Sequence, residues 1–448
     1  MNLRDFSSGD CFDVYKWLGA QFDGFGTTFR VYAPNAEGVS VIGDFNGWQD
    51  WYLNRTGDGK FWEIRITDAR PGQMYKYKIY HGGNCVEHCD PVGFGMELRP
   101  KFASIIRDMR FDFDDLDWME KRHTWHGDAL NIYEVHLGSW RTDPGDPNGW
   151  YKYEDIAPQL VKYCKEHGYN CVELMPLNEY PCDESWGYQA TGFFSPTSRY
   201  GTAEGLKKLV NTCHKNGIAV LMDYVPVHFA VDDYALAEYD GTALYEYPHR
   251  DVGNSEWGSR NFMHSRGEVR SFLQSCADYW LREYHFDGLR MDAISNMIYW
   301  QGQPERGVNQ NAVEFLRYMN RGLKERHSGI LLAAEDSTSF PGVTKKAEEG
   351  GVPPSWVGRS RLGEVELADG RVLGASFADQ LAERHAAAMA HAGAVHGVVV
   401  AEEVALHVAD GEQAGDGLVL GGEHLGVGVH VEAEGDGQRG AHVLRGVE

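Results

Sequence analysis

Four charged residues carry the chemistry that this sequence can support, and each follows an apolar stretch: Asp223, Arg290, Asp292 and Glu335. Arg290 and Asp292 are two positions apart, so that in a strand their side chains share one face. Asp223 and Glu335 each end an apolar β-type segment. The Arg290–Asp292 pair alone is also compatible with a structural ion pair. Three carboxylates at the ends of three strands favour a catalytic site instead.

Two of these carboxylates suit the cleavage of a glycosidic bond with retention of configuration. That reaction needs a nucleophilic carboxylate and a protonated acid about 5–5.5 Å apart. Arg290 is expected to keep Asp292 ionised as the nucleophile. The apolar residues before Glu335 are expected to raise its pKa, as a general acid requires. His228, five residues after Asp223, can donate to a sugar hydroxyl, although a structural loop histidine would look the same.

Five apolar strands separated by helical periodicity must position these residues. The predicted strands are 131–136, 171–176, 219–223, 286–292 and 330–335, and the predicted helices are 153–167, 206–216, 269–284 and 312–327. This alternation predicts βα units and a parallel sheet. In a (β/α) barrel the carboxyl ends of all strands open into one site. The three acids are therefore expected to converge.

The N-terminal part of the chain has a different pattern. Alternating segments such as Thr28–Ala33, Val39–Ile42 and Tyr75–Ile79, separated by turn residues, predict a small β-sandwich over residues 17–106. An acidic linker follows at residues 111–117.

Charge and cysteine usage exclude several classes of function. A net charge of −24 argues against nucleic acid or an anionic membrane as a partner. No signal-peptide leader and no long apolar run are recognisable. Cys85, His88 and Cys89 could hold a metal, but no second half of such a motif exists. The eight scattered cysteines instead indicate reduced thiols and a cytoplasmic location.

Residues 351–448 differ from the rest of the chain in composition. They contain no Lys, Asn, Ile, Thr, Tyr or Cys, and have six Arg against fifteen Asp and Glu. The missing residue types are nearly all encoded by codons that start with A or T. We therefore interpret this tail as a shifted or antisense reading of a GC-rich gene, disordered rather than folded. A natural low-complexity tail is the alternative.

Several motifs resemble the α-amylase family of glycoside hydrolases (family 13), and within it the glucan branching enzymes. The matching segments are Asp223–His228, Gly288–Ala293, Ala334–Ser337, Trp186–Gly201, Asp232–Thr242 and Glu335–Val343, with Phe29–Ala36 and Gly43–Trp48 in the front domain. The resemblance implies that Asp292 is the nucleophile and Glu335 the acid/base. It also implies that Tyr188, Asp223, His228 and Arg290 form the first sugar subsite. It implies no cofactor and no metal.

The resemblance runs from about residue 15 to about residue 350 and then stops. Family members have a further His-Asp pair that supplies a third catalytic carboxylate, and no His-Asp pair occurs after residue 350. The predicted architecture is multidomain, with an immunoglobulin-like glycogen-binding sandwich and an incomplete (β/α)8 TIM barrel of strands one to five. The expected boundaries are a segment 1–14, the sandwich 15–108, a linker 109–128, the partial barrel 129–350 and the tail 351–448. Without strands six to eight, strands one and five would be exposed edges.

The expected function is that of a 1,4-α-glucan branching enzyme, which moves an α-1,4-linked chain to a 6-hydroxyl by a retaining double displacement. The third catalytic carboxylate and the last strands are missing, so we expect this chain to be truncated or frame-shifted and inactive. A non-catalytic glucan-binding protein, a debranching or trehalose-releasing relative, and an aggregating chain without function are the alternatives. The expected partner is an α-1,4-glucan such as glycogen, bound by a monomer, with neither nucleic acid nor membrane.

Overall fold

The computed structural model describes residues 1–56, 58–122, 130–338, 340, 341 and 343, together with seven short strands beyond residue 350. The helices are α1 (Leu3–Ser8), α2 (Leu116–Lys121), α3 (Leu137–Trp140), α4 (Tyr153–His167), α5 (Ala203–Lys215), α6 (Arg250–Gly253), α7 (Gly267–Glu283), α8 (Ile294–Ile298) and α9 (Gln310–Arg326). The four long helices, α4, α5, α7 and α9, lie where the sequence periodicity predicts them.

The N-terminal strands form a sandwich of two antiparallel sheets. They are β1 (Gly19–Phe22), β2 (Thr27–Tyr32), β3 (Gly38–Gly43), β4 (Trp51–Tyr52), β5 (Asn54–Thr56), β6 (Phe61–Ile66), β7 (Met74–His81), β8 (Asn84–His88) and β9 (Ser104–Ile105). One sheet has the order β1-β2-β6-β5, and the other has the order β4-β3-β7-β8 with β9 beside β7.

Alternation along the strands builds the core of this sandwich. In β7, Tyr75, Tyr77 and Ile79 are buried, whereas Lys76 and Lys78 between them are half-exposed. The ring of Tyr75 meets the ring of Phe29 on the opposite sheet at 5.0 Å. The predicted β-sandwich is therefore confirmed.

Five parallel strands form the sheet of the second part. They are β10 (Asn131–Val135), β11 (Cys171–Leu174), β14 (Ala219–Tyr224), β17 (Gly288–Met291) and β18 (Leu331–Glu335), adjacent in that order. Two antiparallel pairs lie in the loops between them: β12 (Asn178–Glu179) with β13 (Gly192–Pro196), and β15 (His228–Phe229) with β16 (Arg260–Asn261). The predicted partial barrel of strands one to five is confirmed.

Short strands from beyond residue 350 extend both edges of this sheet. They are β19 (Trp356–Gly358), β20 (Glu364–Leu367), β21 (Val372–Gly374) and β22 (Val399–Ala401), and a separate three-stranded sheet contains β23 (Leu418–Gly421), β24 (Val427–Ala433) and β25 (Arg439–Arg445). β19 pairs in parallel with β18, and β22 pairs in parallel with β10. The expectation of exposed edges is therefore wrong, because unpaired edge groups accept an extended segment of the same chain. The predicted disorder of this tail otherwise falls outside the described residues.

The strand register brings the candidate residues to one edge of the sheet. Asp223 on β14 pairs with Arg290 on β17, and Arg290 pairs with Ala333 on β18. Glu335 then lies two residues further along β18. Close packing at the start of β17 requires a glycine, because a Cβ on Gly288 would lie 2.0 Å from the carbonyl oxygen of Leu331.

The N-terminal helix and the sandwich pack against the barrel. The side-chain amide of Gln274 on α7 donates to the carbonyls of Gly9 (2.8 Å) and Cys11 (3.0 Å). Asn35 of the sandwich donates from its backbone and its side chain to Asp240, both at 2.9 Å. Asp240 belongs to the segment Asp232–Thr242, whose sequence resembles that of branching enzymes. In the structure this segment holds the sandwich against the barrel.

Candidate active site

Arg290 lies at the centre of the candidate site and contacts all three predicted acids. Its Nη1 donates to Asp223 Oδ2 at 2.8 Å and to Asp292 Oδ1 at 2.7 Å. Its Nη2 lies 3.4 Å from Glu335 Oε2. A planar guanidinium presents several donors in a fixed geometry, so one arginine can orient several carboxylates at once. The structure thus brings together the four charged residues that the sequence singles out.

A strained turn follows Asp292 and connects it to Glu335. The backbone N–H of Asp292 donates to the carbonyl of Tyr224 at 3.0 Å, which fixes the residue at the end of β17. Ala293 then adopts a left-handed conformation with φ of 46°, which costs a non-glycine residue about 1 kcal/mol or more. Its N–H donates to Glu335 Oε2 at 3.1 Å. Such strain is retained where it positions functional groups.

The pKa of Asp292 is shifted in the direction opposite to the expected one. Arg290 was expected to keep this carboxyl ionised, but burial raises the pKa of Asp292 well above its ordinary value. Repulsion from Asp223 and Glu335 raises the pKa further, and the attraction of Arg290 offsets these effects only in part. The expectation was wrong because one guanidinium serves three carboxylates in a site from which water is largely excluded.

Tyr188 and Asp223 form one wall of the site. The Tyr188 hydroxyl donates to Asp223 Oδ2 at 2.8 Å, the same oxygen that accepts from Arg290. Asp223 is fully buried, and burial raises its pKa although Arg290 and Tyr188 act in the opposite direction. Tyr188 comes from the loop before β13, so only the fold places it beside β14.

His228 is buried at the start of β15. Its Nδ1 hydrogen-bonds with the hydroxyl of Ser259, and its ring lies 5.2 Å from the half-exposed indole of Trp257. Burial lowers the pKa of His228 to about 4, so that the ring is neutral at physiological pH. A neutral ring with Nδ1 engaged leaves Nε2 for a further hydrogen bond. The sugar contact of this histidine stays a prediction.

Sequence reasoning missed two further acids of the same sheet, Glu134 on β10 and Glu173 on β11. They pair with one another in the register, and Glu173 is fully buried. Glu173 Oε1 lies 3.9 Å from Arg290 Nε. The signal was present, because all five neighbouring strands carry an acid at or near the carboxyl end.

The possible metal motif of Cys85, His88 and Cys89 does not form a cluster of ligands. Cys85 is exposed, Cys89 is buried, and His88 Nδ1 hydrogen-bonds with the carbonyl of Ala235 at 3.1 Å. Within the described part of the chain, the one set of three possible ligand residues within mutual reach consists of acids elsewhere, in the barrel. All eight cysteines lie in described segments and are free thiols. A search of the described residues finds no helix long and apolar enough to cross a bilayer.

Comparisons with known proteins agree with this architecture. Residues 17–93 match the family model of carbohydrate-binding module 48 (isoamylase N-terminal domain), and residues 143–248 match that of the alpha amylase catalytic domain. Among solved structures, a putative alpha amylase from Salmonella typhimurium shares the fold with a TM-score of 0.57 at 23% identity, over 72% of this chain and 50% of that one. An apo pullulanase from Paenibacillus barengoltzii gives a TM-score of 0.56 at 20% identity, over 71% and 52%.

The curated relatives are more specific. The 1,4-alpha-glucan branching enzyme GlgB of Fusobacterium nucleatum is 44% identical over 354 residues, which cover 78% of this chain and 57% of the relative. That of Dechloromonas aromatica is 43% identical over 366 residues, or 78% of this chain and 58% of the relative. The chain thus spans somewhat more than half the length of these relatives.

Sandwich, parallel strands and clustered acids together define a catalytic domain of the α-amylase type that carries a front carbohydrate-binding module. The resemblance seen in the sequence is therefore confirmed at the level of the class. Within that class, the chain is similar to 1,4-alpha-glucan branching enzymes over 78% of its length.

Proposed function

We propose that this chain provides the donor half of a glucan branching site. In this proposal Asp292 attacks the anomeric carbon of an α-1,4-linked glucan, and Glu335 protonates the departing 4-oxygen. The glycosidic bond breaks as an ester forms between the glucan and Asp292. Glu335 then takes the proton from a 6-hydroxyl, whose oxygen displaces Asp292 and completes the transfer. The observation that supports these roles is the simultaneous contact of Arg290 with Asp223, Asp292 and Glu335.

The surrounding residues complete the donor subsite. Tyr188 offers a ring face to the sugar. Asp223 accepts a hydrogen bond from a sugar hydroxyl, and His228 donates one. The carboxyl of Asp292 must be ionised to attack, and its raised pKa disfavours the loss of its proton. A bound glucan supports that loss, because its hydroxyls supply hydrogen bonds to the charged form.

The front sandwich is proposed to bind the α-1,4-glucan away from the site of cleavage, and the protein to act as a monomer in the cytoplasm. Free thiols at all eight cysteines support the cytoplasmic location. The curated relatives leave about a fifth of this chain unmatched. This share is about the size of residues 351–448, which supports the proposal that this segment is not an evolved domain. We expect no branching of amylose by this chain, because the family's third carboxylate has no counterpart in it.

An activated donor tests the nucleophile independently of the missing carboxylate. Fluoride leaves without protonation, so α-maltosyl fluoride should esterify Asp292 even where natural glucan is not cleaved. Mass spectrometry of peptides should locate the maltosyl group on Asp292 in the wild-type chain and find none in Asp292→Asn. The matched control is Asp68→Asn, which changes an exposed carboxylate of the sandwich and should label like the wild type. Labelling that persists in Asp292→Asn contradicts the assignment.

The same experiment separates the alternatives. Glycogen binding without any labelling would favour a non-catalytic glucan-binding protein. Labelling followed by release of maltose to water alone, at saturating glucan acceptor, would favour a hydrolase. Labelling followed by transfer to a 6-hydroxyl supports branching.

A further inference from the structure

Three carboxylates from neighbouring strands meet beneath the candidate active site. Glu134 on β10, Glu173 on β11 and Asp223 on β14 each place one oxygen within 4.8 Å of the other two. Glu173 and Asp223 are fully buried, and Glu134 is half-buried. Like charges at this separation repel strongly where water is excluded. The arrangement therefore requires a compensating partner.

Two of the oxygens have no such partner in the described part of the chain. Glu173 Oε2 and Asp223 Oδ1 are buried and accept no hydrogen bond there. The second oxygen of each carboxylate is the one that approaches Arg290, at 3.9 Å and 2.8 Å. Buried carboxylate oxygens without a donor are costly and call for an explanation by an ion or another bound group.

The guanidinium that contacts Glu173 and Asp223 is already shared with other acids. Arg290 contacts Asp292 and Glu335 as well as these two acids, so one guanidinium faces at least four carboxyl groups. Protons or a cation must supply the difference.

We propose that Glu134, Glu173 and Asp223 bind one divalent cation, and that the cation is Ca²⁺ rather than Mg²⁺. Carboxylate oxygens are the preferred ligands of both ions. Ca²⁺ accepts several carboxylates in a flexible geometry, whereas Mg²⁺ usually binds one or two carboxylates and keeps several waters. Three protein carboxylates, two of them buried, therefore suit Ca²⁺. Water would complete the coordination.

The ion has a positioning role in this proposal. It binds one oxygen of each carboxylate, holds Asp223 so that Oδ2 meets Tyr188 and Arg290, and leaves the guanidinium to Asp292 and Glu335. No chemical step passes through the ion. The proposal rests on the side-chain geometry and not on the proposed branching activity.

Calcium titration of the chelator-treated full chain tests the proposal. Calorimetry should show saturable binding of one Ca²⁺ per chain, with Mg²⁺ at least about tenfold weaker. Ca²⁺ should also raise the melting temperature. Glu173→Gln removes one charged ligand at nearly constant shape and should weaken binding by roughly tenfold or more. Glu204→Gln, an exposed change on α5, is the matched control and should bind like the wild type.

A second variant guards against loss of folding. Glu134→Gln changes the half-buried ligand, so it should fold even where Glu173→Gln does not, and it should also weaken Ca²⁺ binding. Absence of saturable Ca²⁺ binding by the wild type would overturn the proposal. So would equal affinity of the wild type and a folded Glu134→Gln. A protonated carboxyl that infrared spectroscopy detects in the wild type with Ca²⁺ present, and not in Glu173→Gln, would show that a proton compensates the cluster instead.

Discussion

A buried histidine between two aspartates connects the linker to the base of the barrel, and we expect it to make stability depend on pH. His214 on α5 lies with Nδ1 2.8 Å from Asp115 Oδ2 and with Nε2 2.9 Å from Asp287 Oδ2. Asp115 also accepts from His285 at 2.9 Å, and Asp287 accepts from the Trp118 indole at 2.8 Å. Asp115 comes from the linker and Asp287 immediately precedes β17, so the charge of His214 holds these elements together.

The contribution of this charge to stability follows from the pKa of His214. Burial alone would lower the pKa of His214, but attraction to Asp287 and hydrogen bonds to both aspartates raise it to about 9. The unfolded value is about 6.5, and each pKa unit corresponds to about 1.4 kcal/mol, so the charge of His214 contributes about 3 kcal/mol. A folded pKa above the unfolded one means that this contribution is complete below pH 6.5 and is lost as the pH rises through 9.

Acid has a separate effect through Asp115. Burial would raise its pKa, but the hydrogen bonds of His214 and His285 hold it well below the usual range. Because this pKa is lower than that of an unfolded aspartate, about 3.9, the ionised Asp115 side chain stabilises the fold above that pH. The stabilisation is lost as the pH falls further. This cluster therefore stabilises the fold most between the unfolded pKa of Asp115, about 3.9, and that of His214, about 6.5. The guanidinium of Arg122 is close enough to interact with both aspartates, and burial lowers its pKa although the two aspartates act in the opposite direction.

Urea unfolding of the wild type and His214→Gln at about pH 6 and about pH 10 measures the effect. Trp118 stacks on the His214 ring at 5.2 Å and supplies a fluorescence signal at the cluster. We expect the difference in free energy of unfolding between the two proteins to shrink by about 3 kcal/mol between these pH values. His167→Gln, an exposed change at the end of α4, should keep the wild-type pH dependence. Parallel pH profiles for the wild type and His214→Gln would refute the reasoning.

Two further substitutions test the packing and the charge of the sheet. Gly288→Ala should lower the free energy of unfolding by about 1–3 kcal/mol or more, because the added Cβ meets the carbonyl of Leu331 in the middle of the sheet. Gly38→Ala, whose Cβ would meet only ordinary contacts, is its control, and equal effects of both in urea unfolding would contradict the argument. Asp292→Asn should raise the melting temperature, equivalent to roughly 0.5–2 kcal/mol, because burial and neighbouring acids disfavour a charge there. The control Asp68→Asn should have a stability within about 0.5 kcal/mol of the wild type by calorimetry. A loss of stability in Asp292→Asn would contradict the charge argument.

The framework of this fold could be predicted from the sequence because its determinants are local. All five barrel strands are short apolar runs, and the long helices have clear apolar faces. Three of the four both begin and end within two residues of the prediction, and α4 begins at Tyr153 and ends at His167 as expected. Convergence of Asp223, Asp292 and Glu335 followed from the rule that parallel strands open at one edge.

What could not be predicted depends on groups distant in sequence. The pKa of Asp292 is set by Asp223 and Glu335, whose distances to it exist only in the folded chain. The contact of α7 with the N-terminus joins residues more than 260 positions apart, such as Gln274 and Gly9. The left-handed turn at Ala293 has no sequence signal either, since alanine rarely adopts that conformation.

The two ends of one sheet use charge in opposite ways, and this contrast indicates which end was shaped for function. At the base, both ring nitrogens of His214 bond with an aspartate, so that charge and hydrogen bonds are satisfied together. At the carboxyl end, Arg290 alone faces several acids, and Glu173 and Asp223 keep unpaired oxygens within the described residues. A fold stabilises itself by pairing such groups, and natural proteins depart from that rule mainly at functional sites. The excess of negative charge at the carboxyl end is therefore better explained by a requirement of binding or catalysis than by any contribution to stability.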